Sequence, residues 1–125
     1  MTNILIVDDE IHVLRVLNMS LEREGYTVNV CANGQEALEI VLHDPPDVLV
    51  TDIQMPLMTG EELCRQIEQR MPERSFLIFV LTSRTEIEHR EWSRNITNLQ
   101  FLEKPVSIRE LLEKLAANNA TVAAS

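Results

Sequence analysis

The stretch NILIVDDE, residues 3–10, runs from an apolar segment directly into three acidic residues. Its centre, Ile4 to Val7, contains no polar residue, and strands of this kind are those that a sheet buries on both faces. In an open parallel sheet, ligands bind beyond the carboxyl ends of the strands. The stretch therefore predicts a buried parallel strand with a polar site at its end.

Four more segments have strand character, and they alternate with helical patterns. The third and fourth of the five strands are nearly continuous in apolar residues, like the first, whereas the second alternates as an edge strand does. This alternation of short strands and helices predicts an α/β fold with a parallel sheet. The predicted strands are residues 3–7, 26–31, 47–51, 76–81 and 99–102.

Helices are predicted from apolar residues at helical spacing and from start and stop signals. The first apolar stripe, residues 11–21, is closed by Gly25, and the second, residues 37–41, is stopped by Pro45. A fourth helix is predicted within TEIEHREWSRN, residues 85–95, where apolar residues are sparse. The third and fifth helices start at capping boxes of the form S/T-x-x-E, namely Thr59 with Glu62 and Ser107 with Glu110.

Composition limits the class of protein. The 125 residues are 45% hydrophobic and 25% charged, which are the proportions of one compact domain. The net charge of -9 argues against binding to nucleic acid or to an anionic membrane. We find no signal-peptide pattern, no apolar run long enough for a membrane span, and no CxxC spacing between Cys31 and Cys64. These features predict a cytoplasmic domain with reduced, buried thiols.

Acidic residues stand at the ends of two predicted strands. Asp8 and Asp9 follow the first strand, and Asp52 follows the third. If these strands are neighbours, the three carboxylates converge, and their mutual repulsion calls for a cation. An all-oxygen cluster with open positions suits Mg2+. Capping of the helix that begins at Glu10 is an alternative for Asp8 and Asp9, but it does not account for Asp52.

Two further segments point to the same end of the sheet. FVLTS ends the fourth strand with Thr82 and Ser83, whose hydroxyls are able to bond an oxyanion, although hydroxyls at strand ends are more often turn formers. Lys104 follows the fifth strand and precedes Pro105, which restricts the backbone before it. Most lysines are surface ammonium groups. At this place in the chain, however, an anion is the expected partner of Lys104.

Together these segments resemble the receiver domain of response regulators in two-component signalling. The resemblance is carried by VDDE, VTDIQMPLMTG, VLTS and FLEKP, each at the end of a predicted strand, and it spans residues 2–117. It implies the flavodoxin-like (CheY-like) doubly wound fold, with a five-stranded parallel sheet in the order 2-1-3-4-5 and five flanking helices. Residues 1–118 would form the receiver domain, and residues 119–125 a flexible tail or the start of a linker.

The resemblance also implies a role for each residue of the acidic site. Asp52 would accept a phosphoryl group, and Lys104 would be the counter-ion of that group. Asp9 would bind Mg2+ directly, Asp8 would act on the metal through water, and the backbone carbonyl of Gln54 would be a further ligand. Mn2+ or Ca2+ would be able to replace Mg2+.

Two residues would form the switch that responds to phosphorylation. Thr82 would be the switch hydroxyl, and Phe101 the mobile aromatic whose inward rotation remodels the surface of the fourth helix, fifth strand and fifth helix. Ordinary core packing is the alternative for Phe101. The Lys104-Pro105 bond would be cis. Trp92 lies in a segment that departs from the family pattern, with NITN in place of a Gly-Ala turn, and it fits either a buried anchor or an exposed partner contact.

The implied function is a phosphorylation-dependent signalling switch rather than an enzyme, with at most self-phosphorylation from small donors and self-dephosphorylation. Its implied partners are a histidine kinase or histidine phosphotransfer domain and a downstream effector, whereas dimerisation has no support in the sequence. Two alternatives stay open. One is a Mg2+-dependent phosphatase of the haloacid dehalogenase type, which would want an aspartate where Gln54 stands. The other is a pseudo-receiver that acts as an interaction module without phosphorylation.

Overall fold

The structure, a computed structural model, describes residues 2–83 and 91–124. Each of the five strands begins and ends within one residue of its predicted position. The strands are β1 (Asn3–Val7), β2 (Thr27–Cys31), β3 (Val48–Asp52), β4 (Leu77–Thr82) and β5 (Leu99–Glu103). The α-helices in the described ranges are α1 (Ile11–Arg23), α2 (Gly34–His43), α3 (Gly60–Arg70) and α4 (Ile108–Ala124), and a 3-10 helix covers Glu91–Asn95.

The strands form one parallel sheet in the order β2-β1-β3-β4-β5, which confirms the predicted topology. The order reverses at β1, which pairs with β2 on one side and β3 on the other. Asp52, at the end of β3, pairs with Leu81 in β4. The next residue of β4, Thr82, pairs with Glu103 in β5. The carboxyl ends of these strands therefore lie side by side, where a doubly wound sheet binds its ligands.

Helices bury both faces of the sheet, and this explains why β1, β3 and β4 are nearly continuous in apolar residues. Successive residues of a strand point to opposite faces, so each strand contributes to two cores. The core beneath α2 and α3 includes Leu5, Val7, Leu49, Ile78 and Val80 with Leu38, Val41, Leu63 and Ile67. The core beneath α1 and α4 includes Ile4, Ile6, Val50, Phe79 and Leu81 with Leu14, Leu17, Leu21, Leu111 and Leu115.

The predicted capping boxes start α3 and α4. The Thr59 hydroxyl accepts a hydrogen bond from the backbone N–H of Glu62 at 3.2 Å. The Ser107 hydroxyl accepts one from the backbone N–H of Glu110, also at 3.2 Å. Each cap satisfies one of the N–H groups that a helix start leaves without an intrahelical partner. Gly25, with φ at +93°, lies just beyond the end of α1, as its role as a stop signal predicts.

Two connections differ from their predictions or lie outside the described residues. The fourth predicted helix, within residues 85–95, lies outside them except for Glu91–Asn95, and this part is a 3-10 helix. Four α-helices of the expected five are thus present in the described ranges. The helix α4 continues to Ala124, past the predicted domain boundary at residue 118, so the backbone of the predicted tail is helical up to Ala124. The boundary itself stays a prediction.

The state of the two cysteines and the hydropathy of the helices can be compared with the sequence predictions. Cys31 and Cys64 are free and buried. Burial raises the pKa of each thiol to about 12, so both stay protonated at neutral pH and are poor nucleophiles. Among the described helices, none has an apolar stretch of the length that a bilayer requires.

Candidate functional site

The structure brings together the three acids that follow β1 and end β3. Carboxylate oxygens of Asp8, Asp9 and Asp52 all lie within 4.8 Å of one another. Asp8 and Asp52 are buried, with 1% and 2% of their surface exposed, whereas Asp9 is exposed. The cluster thus has a buried floor and one side open to solvent, as the pairing of β1 with β3 requires.

Backbone N–H groups orient the two buried carboxylates. The N–H of Ile53 donates to Oδ1 of Asp52 at 2.8 Å. The N–H of Glu10 donates to Oδ1 of Asp8 at 2.9 Å. Glu10 is the N-cap residue of α1, and its side chain makes no capping hydrogen bond. Asp8 therefore supports the start of α1 as well as facing the cluster, so its capping and site roles coexist.

Burial has an electrostatic consequence for Asp8. It raises the pKa of this carboxyl to about 6, and the negative charge of Asp52 adds to the effect, while the Glu10 N–H and the Lys104 ammonium oppose it. The charged form of Asp8 is thus unfavourable in the protein alone. A cation among the three acids would reverse this preference, and an all-oxygen donor set of this kind suits a hard divalent ion. The residues therefore fit a Mg2+ site.

Lys104 meets the anion that its place in the sequence predicts. Its ammonium group forms a salt bridge with Oδ1 of Asp52. The Lys104 side chain is 34% exposed and that of Asp52 is 3% exposed, so the pair lies at the boundary between core and solvent. The backbone N–H of Lys104 donates to the carbonyl of Thr82 at 2.7 Å, which ties the segment after β5 to the end of β4. The Lys104-Pro105 peptide bond is cis.

Thr82 carries an unusual hydroxyl. Its side chain is fully buried, and among the described residues its Oγ1 has no hydrogen-bond partner. Because a buried polar group without a partner is costly, such groups are rare and call for an explanation. Thr82 is one residue beyond Leu81, the β4 partner of Asp52. An anion added to Asp52 would offer the acceptor that this hydroxyl lacks.

The loop from β3 to α3 carries Gln54 and is closed by a glycine that sequence reasoning missed. Gly60 donates its N–H to the carbonyl of Ile53 at 2.8 Å. It also packs so tightly on β3 that a Cβ atom there would lie 2.1 Å from the carbonyl oxygen of Asp52. The sequence does contain a signal, because glycine directly after the Thr59 cap is a poor first residue for a helix.

Phe101 is partly buried in β5 and packs beside Trp92. The two rings meet edge to face, with centroids 5.8 Å apart and planes at 80°. Both side chains pack against the core beneath α2 and α3. Of the two roles open for Trp92, the structure therefore supports the partly buried anchor. Rotation of Phe101 stays a prediction.

An apolar cavity of about 560 Å³ opens beside the acids. The polar residues of its lining are Asp8, Glu10, His12 and Lys104. The remainder of its lining comes mainly from α1 and from the segment between β5 and α4, and includes Val13, Val16, Leu17, Leu81, Pro105, Val106 and Ile108. The acidic cluster is thus bordered by an apolar surface on this side.

Fold and site together define the class: a CheY-like domain, with a 2-1-3-4-5 parallel sheet whose switch point carries acids and a lysine. The chain belongs to the response regulator receiver domain family, whose profile matches residues 4–116. This membership confirms the resemblance drawn from the four sequence segments.

Curated relatives include response regulators called MprA. The protein of Mycobacterium ulcerans is 40% identical over 114 residues, which cover 91% of this chain and 48% of that protein. The protein of Mycobacterium leprae is also 40% identical over 114 residues, covering 91% of this chain and 49% of that protein. The chain thus spans about half the length of these relatives.

Solved structures show the same fold. The chemotaxis response regulator CheY4 of Vibrio cholerae matches with a TM-score of 0.84 and 30% identity, over 94% of this chain and 98% of that one. The response regulator TrrA of Thermotoga maritima, solved in complex with Mg(2+)-BeF, matches with a TM-score of 0.81 and 29% identity, also over 94% and 98%.

Proposed function

We propose that this receiver domain is a phosphorylation-dependent switch in which Asp52 accepts a phosphoryl group from a histidine kinase or a histidine phosphotransfer domain. The observation that carries the proposal is the position of Asp52. Its carboxylate is buried, paired with Lys104, and lies within 4.8 Å of two further acids. A structural role would not need three acids in contact, because their repulsion weakens the fold.

The reaction is a transfer from nitrogen to oxygen. A carboxylate oxygen of Asp52 attacks the phosphorus of a phosphohistidine, the phosphorus–nitrogen bond breaks, and the donor histidine keeps the bonding electron pair. Lys104 balances the negative charge on the phosphoryl oxygens during the transfer. Mg2+, held by Asp8, Asp9, Asp52 and the backbone carbonyl of Gln54, would supply further positive charge beside those oxygens.

The product adds charge at Asp52, whose β4 partner Leu81 precedes Thr82, a residue whose hydroxyl has no hydrogen-bond partner among the described residues. An acyl phosphate adds about -1.5 to -2 units of charge and three acceptor oxygens. The Thr82 hydroxyl donates a hydrogen bond to one of these oxygens. The accompanying movement of the Thr82 side chain makes room for Phe101. Trp92 and the surface formed by β5 and α4 change with Phe101. A downstream effector that reads this surface completes the proposal.

Phosphorylation by a small donor tests the proposal directly. In Mg2+ and acetyl phosphate, the wild-type chain should gain the mass of one phosphoryl group, and Asp52→Asn should not. Asp44→Asn, which removes an exposed carboxylate far from the cluster, should behave as wild type. Equal labelling of the wild type and of Asp52→Asn would refute the assignment of the phosphoacceptor.

A further inference from the structure

Thr51 is a polar residue in the middle of a buried strand. It precedes Asp52 in VLVTD, every residue of which is buried, and Thr51 itself has no exposed surface. Its position two residues after Leu49 puts it on the sheet face beneath α2 and α3. Burying a hydroxyl in an apolar core is unfavourable unless it is hydrogen-bonded, so the contacts of Thr51 decide its role.

The polar contacts of the Thr51 hydroxyl are with Asp52 and with the loop that follows it. The Thr51 hydroxyl donates to the carbonyl of Asp52 at 2.9 Å. It also lies 3.9 Å from the sulfur of Met55, a weak acceptor within that loop. The same Asp52 carbonyl is also packed against Gly60. One buried carbonyl is thus held by a hydroxyl and by the start of α3.

We propose that Thr51 is a positioning residue, whose hydroxyl fixes the peptide plane after Asp52 and thereby the metal-binding geometry of the loop. This inference rests on the proposed function. The Asp52 carbonyl and the Ile53 N–H belong to the same peptide group, and that N–H orients the Asp52 carboxylate. Gln54, whose carbonyl is a proposed Mg2+ ligand, is the next residue. A hydroxyl that fixes this peptide therefore acts on two ligands at once.

The alternative is that Thr51 only fills space as a β-branched strand residue, which valine would do equally well. Thr51→Val keeps the shape and removes the hydroxyl. Thr51→Ser keeps the hydroxyl and removes a methyl group, and Thr51→Ala removes both. The difference between Ser and Ala isolates the hydroxyl even if Val lowers the yield of folded protein.

The first measurement needs no metal. In EDTA, amide hydrogen exchange followed by NMR should be about tenfold faster at Ile53 and Gly60 in Thr51→Val, because a lost buried hydrogen bond loosens the loop by about that factor. Exchange at Val50, inside β3, should match the wild type. Uniform acceleration across the sheet, or no change at Ile53 and Gly60, would overturn the inference.

The second measurement is Mg2+ affinity, followed by titration of the amide resonances around Asp9. We expect about tenfold weaker binding for Thr51→Val and Thr51→Ala, and near wild-type binding for Thr51→Ser, as for other groups that orient metal ligands. Thr27→Val, a matched control at the amino end of β2, should not change the affinity. If Thr51→Val binds Mg2+ with wild-type affinity, or if Thr51→Ser and Thr51→Ala lose affinity equally, the hydroxyl has no role. Failure of the wild type itself to bind Mg2+ would instead count against the proposed function.

Discussion

Charged groups gather at both ends of the sheet, and the two clusters are built in opposite ways. At the amino end, Arg74 is buried and pairs with Glu68 at 3.0 Å. Arg74 also donates to the carbonyl of Thr97, just before β5. At the carboxyl end, among the described residues, three carboxylates lie together with one ammonium group, that of Lys104. The first cluster joins opposite charges, and the second concentrates like charges.

The amino-end cluster, here called the Arg74 clamp (Glu68, Arg74 and Thr97), is well paired. Oε1 of Glu68 accepts from the backbone N–H of Thr97 at 2.7 Å, and this bond, together with Arg74, lowers the Glu68 pKa. The guanidinium also lies over the Phe76 ring, 5.6 Å from its centroid. In the described part of the chain, only Nε of Arg74 among the buried clamp atoms lacks a partner. Opposite pKa shifts thus separate the clamp from the site, where burial raises the pKa of Asp8 to about 6.

The largest effect is expected from breaking the clamp. Arg74→Met keeps the apolar stem but leaves Glu68 and the Thr97 carbonyl without their partner. We expect a loss of about 3 kcal/mol in the free energy of unfolding. This value is at the lower end of the range for breaking a buried ion pair, because Glu68 is partly exposed. Urea denaturation measures it, with Arg109→Met on the surface of α4 as control. A loss below about 1 kcal/mol would mean that the clamp is not a structural element.

At the acidic site, by contrast, we expect a substitution to increase the free energy of unfolding. Asp8→Asn removes one of the three like charges while its side-chain oxygen still accepts from the Glu10 N–H. We expect the free energy of unfolding in EDTA to rise by about 2 kcal/mol, because the raised pKa shows that the charged form is unfavourable in the folded state. Saturating Mg2+ should reverse the order of the two proteins. If Asp8→Asn is less stable than the wild type in EDTA, the acids do not oppose folding.

A smaller effect with a defined pH dependence is expected for Glu68→Gln. The Glu68 pKa is lowered in the folded protein, so its contribution is present above the ordinary value of 4.5 and is lost as the pH falls below it. At pH 7, Glu68→Gln should lose about 1 kcal/mol, since the amide keeps the Thr97 bond but loses the charge. The gap from wild type should close in acid. A gap that widens in acid would contradict the assigned direction.

The smallest effect is expected at the aromatic pair formed by Trp92 and Phe101. Trp92 is the one tryptophan in the chain, so its fluorescence reports on the Phe101 contact without a label. If phosphorylation moves Phe101, beryllofluoride with Mg2+ should change the Trp92 emission in the wild type. Thr82→Val, which lacks the proposed switch hydroxyl, should show a smaller change in emission. An equal response in Asp52→Asn would place the origin of the signal outside the phosphoacceptor.

Contacts within short segments of sequence were predictable, whereas most of those between distant segments required the strand order that the family resemblance implied, or were missed. The apolar runs located the strands, and the capping boxes located two helix starts, because each signal acts within a few residues. Convergence of Asp8 with Asp52 depended on β1 and β3 being neighbours, an order that the resemblance to receiver domains implied and that the sheet confirms. The Arg74 clamp was missed because nothing in PERSF, residues 72–76, indicates a partner at Thr97. Gly60 was missed because its constraint is the distance to a neighbouring strand.

Under the proposed function, the tight contact between Gly60 and Asp52 affects which elements of the fold respond to phosphorylation. The first residue of α3 packs against the carbonyl of Asp52, and a side chain at Gly60 would clash with that carbonyl. This packing leaves little space for α3 to slide along β3. On β4, by contrast, the buried hydroxyl of Thr82 has no hydrogen-bond partner within the described part of the chain. Under the proposed function, we therefore expect the response to phosphorylation to run through β4 and β5 rather than through α3.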